Sequence, residues 1–390
     1  MGQYGSVKPD FKPFMQELQN IIATWEHLQT SNQQAALATV VGVRGSTYRR
    51  PGARMLVLST GERVGLISGG CLENEVSLQA LEVISTHQPT LVSYDAISNE
   101  ALLWGLGLGC NGAVEILIQP IFPQSWNPIT GIAQCFKHRQ SALLATVIQT
   151  RDQMQAKLGE SLLWSTEMIN HNFSDSQLIE FVTADLVNLS NSSSQKSPQT
   201  LTYQLSEGEV TVLIESIKPP TPLLVFGAGD DAIPVAQFAK SLGWQVTVVD
   251  RRSDYGMLER FPTADRVIVT AAEKGLDASN FDEQTVAVIM THNYWEDRQW
   301  LKLLLSSPIA YLGILGPRQR TENLLKDLKE EGFIPTSAQL ERFYSPIGLD
   351  IGGDTPEAIA LSIVAEIQAV LAQRSGTFLR TRKGSIHSSF

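Results

Sequence analysis

At 390 residues, 43% of them hydrophobic, the chain is long enough for two or three domains with cores of their own. Its 30 basic residues against 40 acidic ones leave a net charge of −10, which argues against a partner held by its phosphate backbone and so against nucleic acid. Cys71, Cys110 and Cys135 are too few for a disulfide framework and fit a reducing, cytoplasmic setting; the opening MGQYGSVKPDFKPF lacks a signal peptide's apolar core, and no apolar run of about 18 residues is present to cross a membrane.

In chain order, Phe14 to Leu28 carries apolar residues at helical spacing and predicts an amphipathic helix. Strands are expected at Ala36 to Val43, Arg54 to Leu58 and Val64 to Ile67. The third runs into Ser68-Gly69-Gly70-Cys71, ahead of a helix predicted from about Leu72 to Thr86. A glycine turn before a helix N-terminus resembles an anion nest. Arg44, Arg49, Arg50 and Arg54 add local positive charge to an acidic chain, so a small negatively charged ligand is expected here. The alternative is a solvated arginine loop beside a structural turn.

A further glycine cluster, Gly105 to Gly112, precedes a strand at Ala113 to Gln119; alternating glycines allow a ligand or a second loop to approach the backbone. Cys71 and Cys110 thus both sit in glycine-rich turns, where a thiol can handle sulfur or a soft metal. A small buried residue is the competing explanation for each, and no histidine stands at zinc-ligand spacing. Cys135 reads as core.

The chain repeats itself. Ala142 to Ile148 echoes Ala36 to Val41, Gly159 to Thr166 echoes Gly52 to Thr60, and Gly208 to Ile217 echoes Gly112 to Ile121. The second copy is expected to lack counterparts of Arg49-Arg50-Pro51, Gly69-Gly70-Cys71 and Gly105 to Cys110, which places the chemistry in the first. Asn188 to Thr200 is expected to be a polar surface loop.

Lys218 to Pro222 is a stiff linker, and it sets the expected domains at 1–121, with the glycine and cysteine loops, 122–218, a degenerate copy packed with the first, and 219–390. Leu223 to Arg252 then reads as strand, glycine turn, helix and strand, with Gly227, Gly229 and Ala232 forming G-x-G-x-x-A and Asp250 closing the second strand. Glycine there lets a phosphate approach, and the acid suits a ribose hydroxyl. Asp230 and Asp231 occupy that turn as expected helix caps, where a pyrophosphate would meet two carboxylates. Further strands at Arg266 to Thr270, Val286 to Met290 and Ala310 to Ile314 predict a parallel, doubly wound sheet. His292, after the second of these, lies on the edge where such sheets bind ligands. Gly316, Arg318 and Arg320 precede a helix expected near Thr321. The fold class is therefore α/β, a Rossmann-type domain preceded by a duplicated α+β region.

Together, GSTYRRPGARMLV, GLISGGCLENEV, LLWGLGLGCNG, VFGAGDDAIPVAQFAKSLGWQVTVVDRR, MTHNYWEDRQWL, YLGILGPRQRTENLL and SPIGLDIGGDTPEAIALSIVAEI resemble the xanthine dehydrogenase accessory protein (XdhC/CoxI) family, in the family's order over most of residues 20 to 370. The resemblance implies a chaperone that binds molybdenum cofactor (molybdopterin), supports its sulfuration by a cysteine desulfurase, and helps insert it into xanthine dehydrogenase or a related molybdenum hydroxylase. It also implies that the amino-terminal motifs and the Rossmann domain surround one cleft. Relatives commonly carry histidine at the position of Asp230 and aspartate at that of Asn293. With the motifs, it makes Arg49, Arg50, Gly69, Gly70, Cys71, Glu73, Gly107, Gly109, Cys110, Gly227, Gly229, Asp250, His292, Gly316 and Arg318 the cofactor-binding candidates. Cys71, Cys110 and His292 are the reactive ones. No motif demands turnover. Two other functions stay open: an NAD(P)-dependent oxidoreductase with Asp250 on the ribose and His292 as acid, and a non-catalytic docking scaffold. A homodimer is compatible with the chain, although no heptad argues for it.

Overall fold

The computed structural model describes residues 14–31, 33–45, 47–95, 112–151, 154–191, 198–277 and 281–383. The candidates Gly107, Gly109 and Cys110 lie outside them. The chain divides into two compact units, one over Glu17–Pro219 and one that begins at Pro220. No helix among the described residues is long and apolar enough to cross a membrane.

In the first unit, α1 (Phe14–Leu28) leads into β1 (Ala35–Gly45), β2 (Arg54–Leu58), β3 (Arg63–Gly65), α2 (Glu73–Thr86), β4 (Thr90–Asp95) and β5 (Gly112–Ile121). A second round follows, with α3 (Pro128–His138), β6 (Ala142–Gln149), β7 (Ser161–Trp164), β8 (Ile169–His171), α4 (Ser176–Ser190), β9 (Gln199–Leu205) and β10 (Gly208–Ile217). The two sheets share one topology, β3-β2-β1-β5-β4 and β8-β7-β6-β10-β9. Their registers also agree: Leu37 lies opposite Leu56 and Gln119, and Leu144 lies opposite Leu163 and Glu215. Each round opens with a helix, which the sequence repeat did not include.

Each central strand bulges at one residue, Val41 in β1 and Ile148 in β6. A bulge re-aims a side chain, and these two meet Leu117 and Leu213 in a small core that joins the sheets. A larger shared core sets Ile21, Trp25 and Leu28 of α1 and Ile129 and Ile132 of α3 against Leu37, Leu56, Leu144 and Leu163. Each such fully buried aliphatic side chain contributes about 2 kcal/mol. The remaining sheet faces are covered by α2 and α4 respectively.

One ion pair crosses between the sheets. The Arg54 guanidinium donates to the carbonyl of Gly52 at 2.8 Å and pairs with Glu215 of β10, both side chains being buried. Burial pushes Arg54 down to about 10, so it stays charged at neutral pH.

Three expectations shift. β4 was not foreseen, because an edge strand that alternates half-buried and exposed residues carries little apolar signal. β3 lies at Arg63–Gly65, earlier than Val64 to Ile67. The loop expected over Asn188 to Thr200 is narrower, since α4 runs to Ser190 and β9 begins at Gln199.

The second unit is built on β11 (Pro222–Phe226), α5 (Ala232–Ser241), β12 (Gln245–Asp250), β13 (Arg266–Val269), β14 (Val286–Ile289), α6 (Tyr294–Leu305), β15 (Tyr311–Ile314), α7 (Arg318–Glu330), α8 (Ser337–Glu341), β16 (Phe343–Tyr344) and α9 (Pro356–Leu371). Its six strands are all parallel, in the order β13-β12-β11-β14-β15-β16. Helices α5 and α9 pack on one face and α6 and α7 on the other, as a doubly wound sheet requires. The order reverses between β11 and β14, which opens the crevice beside the turn at Gly227. Helix α7 starts at Arg318, ahead of the expected Thr321, because its first turn is polar and its buried residues begin at Thr321.

Candidate functional site

Two neighbouring loops of the first unit carry the expected arginine and thiol residues. The ring of Tyr48 packs over Gly69, where an added Cβ would lie 3.6 Å from it. This contact brings the Tyr48-Arg49-Arg50 loop to the Ser68–Cys71 turn. Ser68 organises that turn: its hydroxyl accepts from the amides of Gly70 at 3.2 Å and Leu72 at 3.1 Å and donates to Glu73 Oε2 at 2.6 Å. Glu73 Oε1 accepts from the amides of Ile67 and Ser68 at 3.3 and 2.7 Å. Glu73 is 1% exposed. Its carboxylate is spent on shaping the loop, which gives it a positioning role.

Gly70 adopts φ +104°, a left-handed conformation that favours glycine, and a Cβ there would meet nothing within 4 Å. Gly69, Gly70 and Cys71 are exposed at the N-terminal end of α2, whose N-cap Leu72 supplies no side-chain cap. The partial positive charge of the helix end lies beside this exposed turn. The Cys71 thiol is exposed. By contrast, burial pushes the Cys135 thiol up to about 11, as befits a core residue.

The two arginines part company. Arg49 donates to both carboxylate oxygens of Glu17 on α1, at 3.1 and 2.7 Å, so its fork is engaged by the protein. Arg50 is exposed. Glu17 was missed in the sequence, although an acid on the apolar stripe of α1, one turn before Ile21, was its signal.

In the second unit, Gly227 has φ +114°, and a Cβ on it would lie 2.4 Å from the carbonyl oxygen of Met290. The glycine is required by the neighbouring strand end. Asp250 is 6% exposed. Its Oδ2 accepts from the amide of Ala228 at 2.7 Å and from Arg252 Nη2 at 2.8 Å, while Oδ1 accepts from Arg252 N and Nε at 2.8 and 3.0 Å. Burial alone would raise its pKa, but the Arg252 side chain, the two amides and the Arg252 charge outweigh it and hold the carboxyl below its ordinary value. Asp250 thus fastens the glycine turn to the end of β12.

Because its pKa is depressed on folding, the stability it adds is present above about pH 3.9, the unfolded value, and is lost as pH falls through the folded one. Asp250→Asn is expected to lower the unfolding free energy of this unit by about 2 kcal/mol at pH 7. Urea titrations at pH 7 and pH 3 check this, and an equal difference at both would defeat it.

Neither acid of the turn caps α5. Asp230 pairs with Arg260 at 2.5 Å, and Asp231, at the N-cap position without a cap bond, meets His292 Nε2 at 2.8 Å. His292 has φ +57° and a side chain 65% exposed, so the Asp231–His292 pair spans the switch point at the carboxyl ends of β11 and β14. A Cβ on Gly229 would sit 2.5 Å from Asp231 Oδ1. Beside these, Arg320 is bound to Asp297 at 2.7 Å, Gly316 has φ +131°, and Arg318 is exposed at the first position of α7. No group of three or more His, Cys, Asp or Glu among the described residues is placed to hold a metal ion.

Comparison with known proteins follows the same division. Residues 223–367 match the XdhC Rossmann domain model, and residues 28–95 match that of the XdhC and CoxI family. A Bacillus subtilis (strain 168) protein, named for a probable role as one of the xanthine dehydrogenase subunits, is 34% identical over 340 residues, 87% of this chain and 94% of that protein. The chain belongs to the XdhC and CoxI family. It is also similar to the Escherichia coli (strain K12) molybdenum cofactor insertion chaperone PaoD, 22% identical over 87% of this chain and 84% of PaoD. The crystal structure of a Bacillus halodurans protein described as a xanthine dehydrogenase superposes with a TM-score of 0.71 at 28% identity, covering 91% of this chain and 96% of that one. Against the pattern expected of XdhC and CoxI proteins, Asn293 is a mild departure. It caps α6 by accepting from the amides of Trp295 and Glu296 at 3.0 and 3.2 Å, a task aspartate performs equally well.

Proposed function

We propose that this chain is an accessory factor that receives molybdenum cofactor as cargo and assists its sulfuration and insertion into a molybdenum hydroxylase of the xanthine dehydrogenase class. The observation that carries the reading is the exposed Gly69-Gly70-Cys71 turn at the start of α2, with the loop bearing Arg50 packed against it through Tyr48. A helix N-terminus and an exposed guanidinium suit the phosphate of a pterin cargo, and an exposed thiol suits its soft metal or a sulfur atom. A cysteine desulfurase is the natural sulfur donor in this reading. The name of PaoD and the xanthine dehydrogenase names of the other two relatives support it from outside the chain.

The oxidoreductase alternative is less well supported, because the acid that would hold a ribose is already engaged by Ala228 and Arg252. A scaffold that only docks a client would leave the open turn without a task.

The chain purified from its native host, or incubated with a cofactor-loaded donor, is expected to carry molybdenum and pterin. Cys71→Ala and Arg50→Glu should each lower the retained cofactor about tenfold, the scale of one charge-assisted contact, without changing the melting temperature. Metal analysis and pterin fluorescence read the outcome. Retention at the wild-type level in both variants, or no cofactor in any sample, refutes the reading; a client still bound by the cofactor-free variants would favour the scaffold.

A further inference from the structure

The sequence repeat conceals a retained pair of charges. The span from Thr150 to Gly159 has the same length as that from Val43 to Gly52, and the paired strand registers align the two. Arg151 therefore stands where Arg44 stands, and Lys157 where Arg50 stands. The expectation that the second copy has no counterpart of Arg49-Arg50-Pro51 is corrected: Ala156 and Leu158 replace the outer two residues, but a cation is kept at the middle one.

The surroundings of the two loops differ. On the first, Gly52 faces Glu215, with a Cβ position 2.7 Å from Oε2, and the buried Arg54–Glu215 pair fills the junction between the sheets. On the second, Gly159 faces Gln119, whose Nε2 donates to the Gly159 carbonyl at 3.3 Å, and the residue at the position of Arg54 is the small Ser161. Serine and glutamine thus replace the ion pair there. A cleft of about 780 Å³ lies at this junction, within the size range of small-molecule sites.

We infer that this cleft is a second binding site of the protein, for a small heteroaromatic phosphate monoester. Arg151 and Lys157 line it and supply positive charge. The acid in the lining, Glu160, is 7% exposed and occupied by the amides of Ser174 and Lys157, both at 3.1 Å, and by the Ser174 hydroxyl. It leaves the two cations to meet an anion. Phe122, with its ring edge-on to His87 at 5.3 Å, and Leu91 are large apolar side chains exposed at 40% and 39% in the lining, a surface on which a ring can lie. Gln119 donates one of its two amide hydrogens to Gly159, and its carbonyl oxygen has no donor among the described residues, so it offers an acceptor to the edge of a heterocycle.

Calorimetric titration of the full chain with adenosine 5′-monophosphate, and in parallel with adenosine, tests the assignment. Saturable binding of the monophosphate is expected, at least tenfold weaker for the nucleoside and at least tenfold weaker in Arg151→Glu/Lys157→Glu. Both residues are exposed, so the variant should keep the wild-type melting curve. Phe122→Ser, also at an exposed site, should weaken both ligands together. Absence of saturable binding up to about 1 mM, equal affinity for the two ligands, or full affinity in the charge-reversed variant would each overturn the inference.

Discussion

Arg54→Leu is expected to destabilise the first unit by about 3–5 kcal/mol, the cost of leaving Glu215 charged and buried without its partner. Glu215→Leu should cost a similar amount from the other side. The double replacement should recover most of the loss. Two observations favour that outcome: Arg54 Nε is buried without an acceptor among the described residues, and desolvating both ions is costly even when they meet. Denaturant unfolding of the four proteins forms the double-mutant cycle, and additive losses in the double variant would show that the pair is not coupled. Hydrogen exchange read by peptide should place the loosening in β2 and β10, whose amides stand on the two sides of the junction.

Gly227→Ala should have an effect of similar size in the second unit. The residue combines a φ of +114°, outside what a side chain readily adopts, with a Cβ position 2.4 Å from one backbone oxygen and 2.7 Å from its carbon. A flexible side chain could swing away, but the backbone of Met290 is fixed by the hydrogen bond its N–H donates to the carbonyl of Phe226 at 2.8 Å. Strain and displacement together imply a loss of about 3–5 kcal/mol, a large share of the stability of an ordinary domain. Gly275→Ala is the comparison, since its backbone (φ +67°, ψ 177°) also favours glycine while its Cβ position is open, and it should cost the backbone strain alone, about 1–3 kcal/mol. Equal losses at the two positions would show that crowding against Met290 contributes nothing.

The sequence disclosed periodicity and chain direction better than it disclosed partners. The parallel sheet was legible because its strands are continuous apolar runs, and the helices between them have capping or terminating residues such as Thr355 and Gly243. Edge strands β4 and β16 were not, since half-exposed or two-residue strands leave no pattern. In the candidate sites, residue type marked where chemistry gathers but not which side chains remain available. Arg49 and Arg50 are adjacent and alike in sequence, yet one is engaged by Glu17 and the other exposed. Asp250 was read as a ribose acid from its position at the end of a strand, a position that equally suits it to bind its own glycine turn. Such distinctions depend on contacts across long stretches of chain, which neither spacing nor composition encodes.

Carrying both rounds of the repeat on one polypeptide has a consequence for how the first unit can diverge. In an assembly of two identical chains, every substitution at a junction appears twice, so neither junction can change alone. Here Val41 and Ile148 still meet as near equivalents, while one flank holds arginine with glutamate and the other serine with glutamine. Covalent tethering also frees the contact from dependence on concentration, so a loss of affinity on one flank is tolerated that would dissociate separate chains.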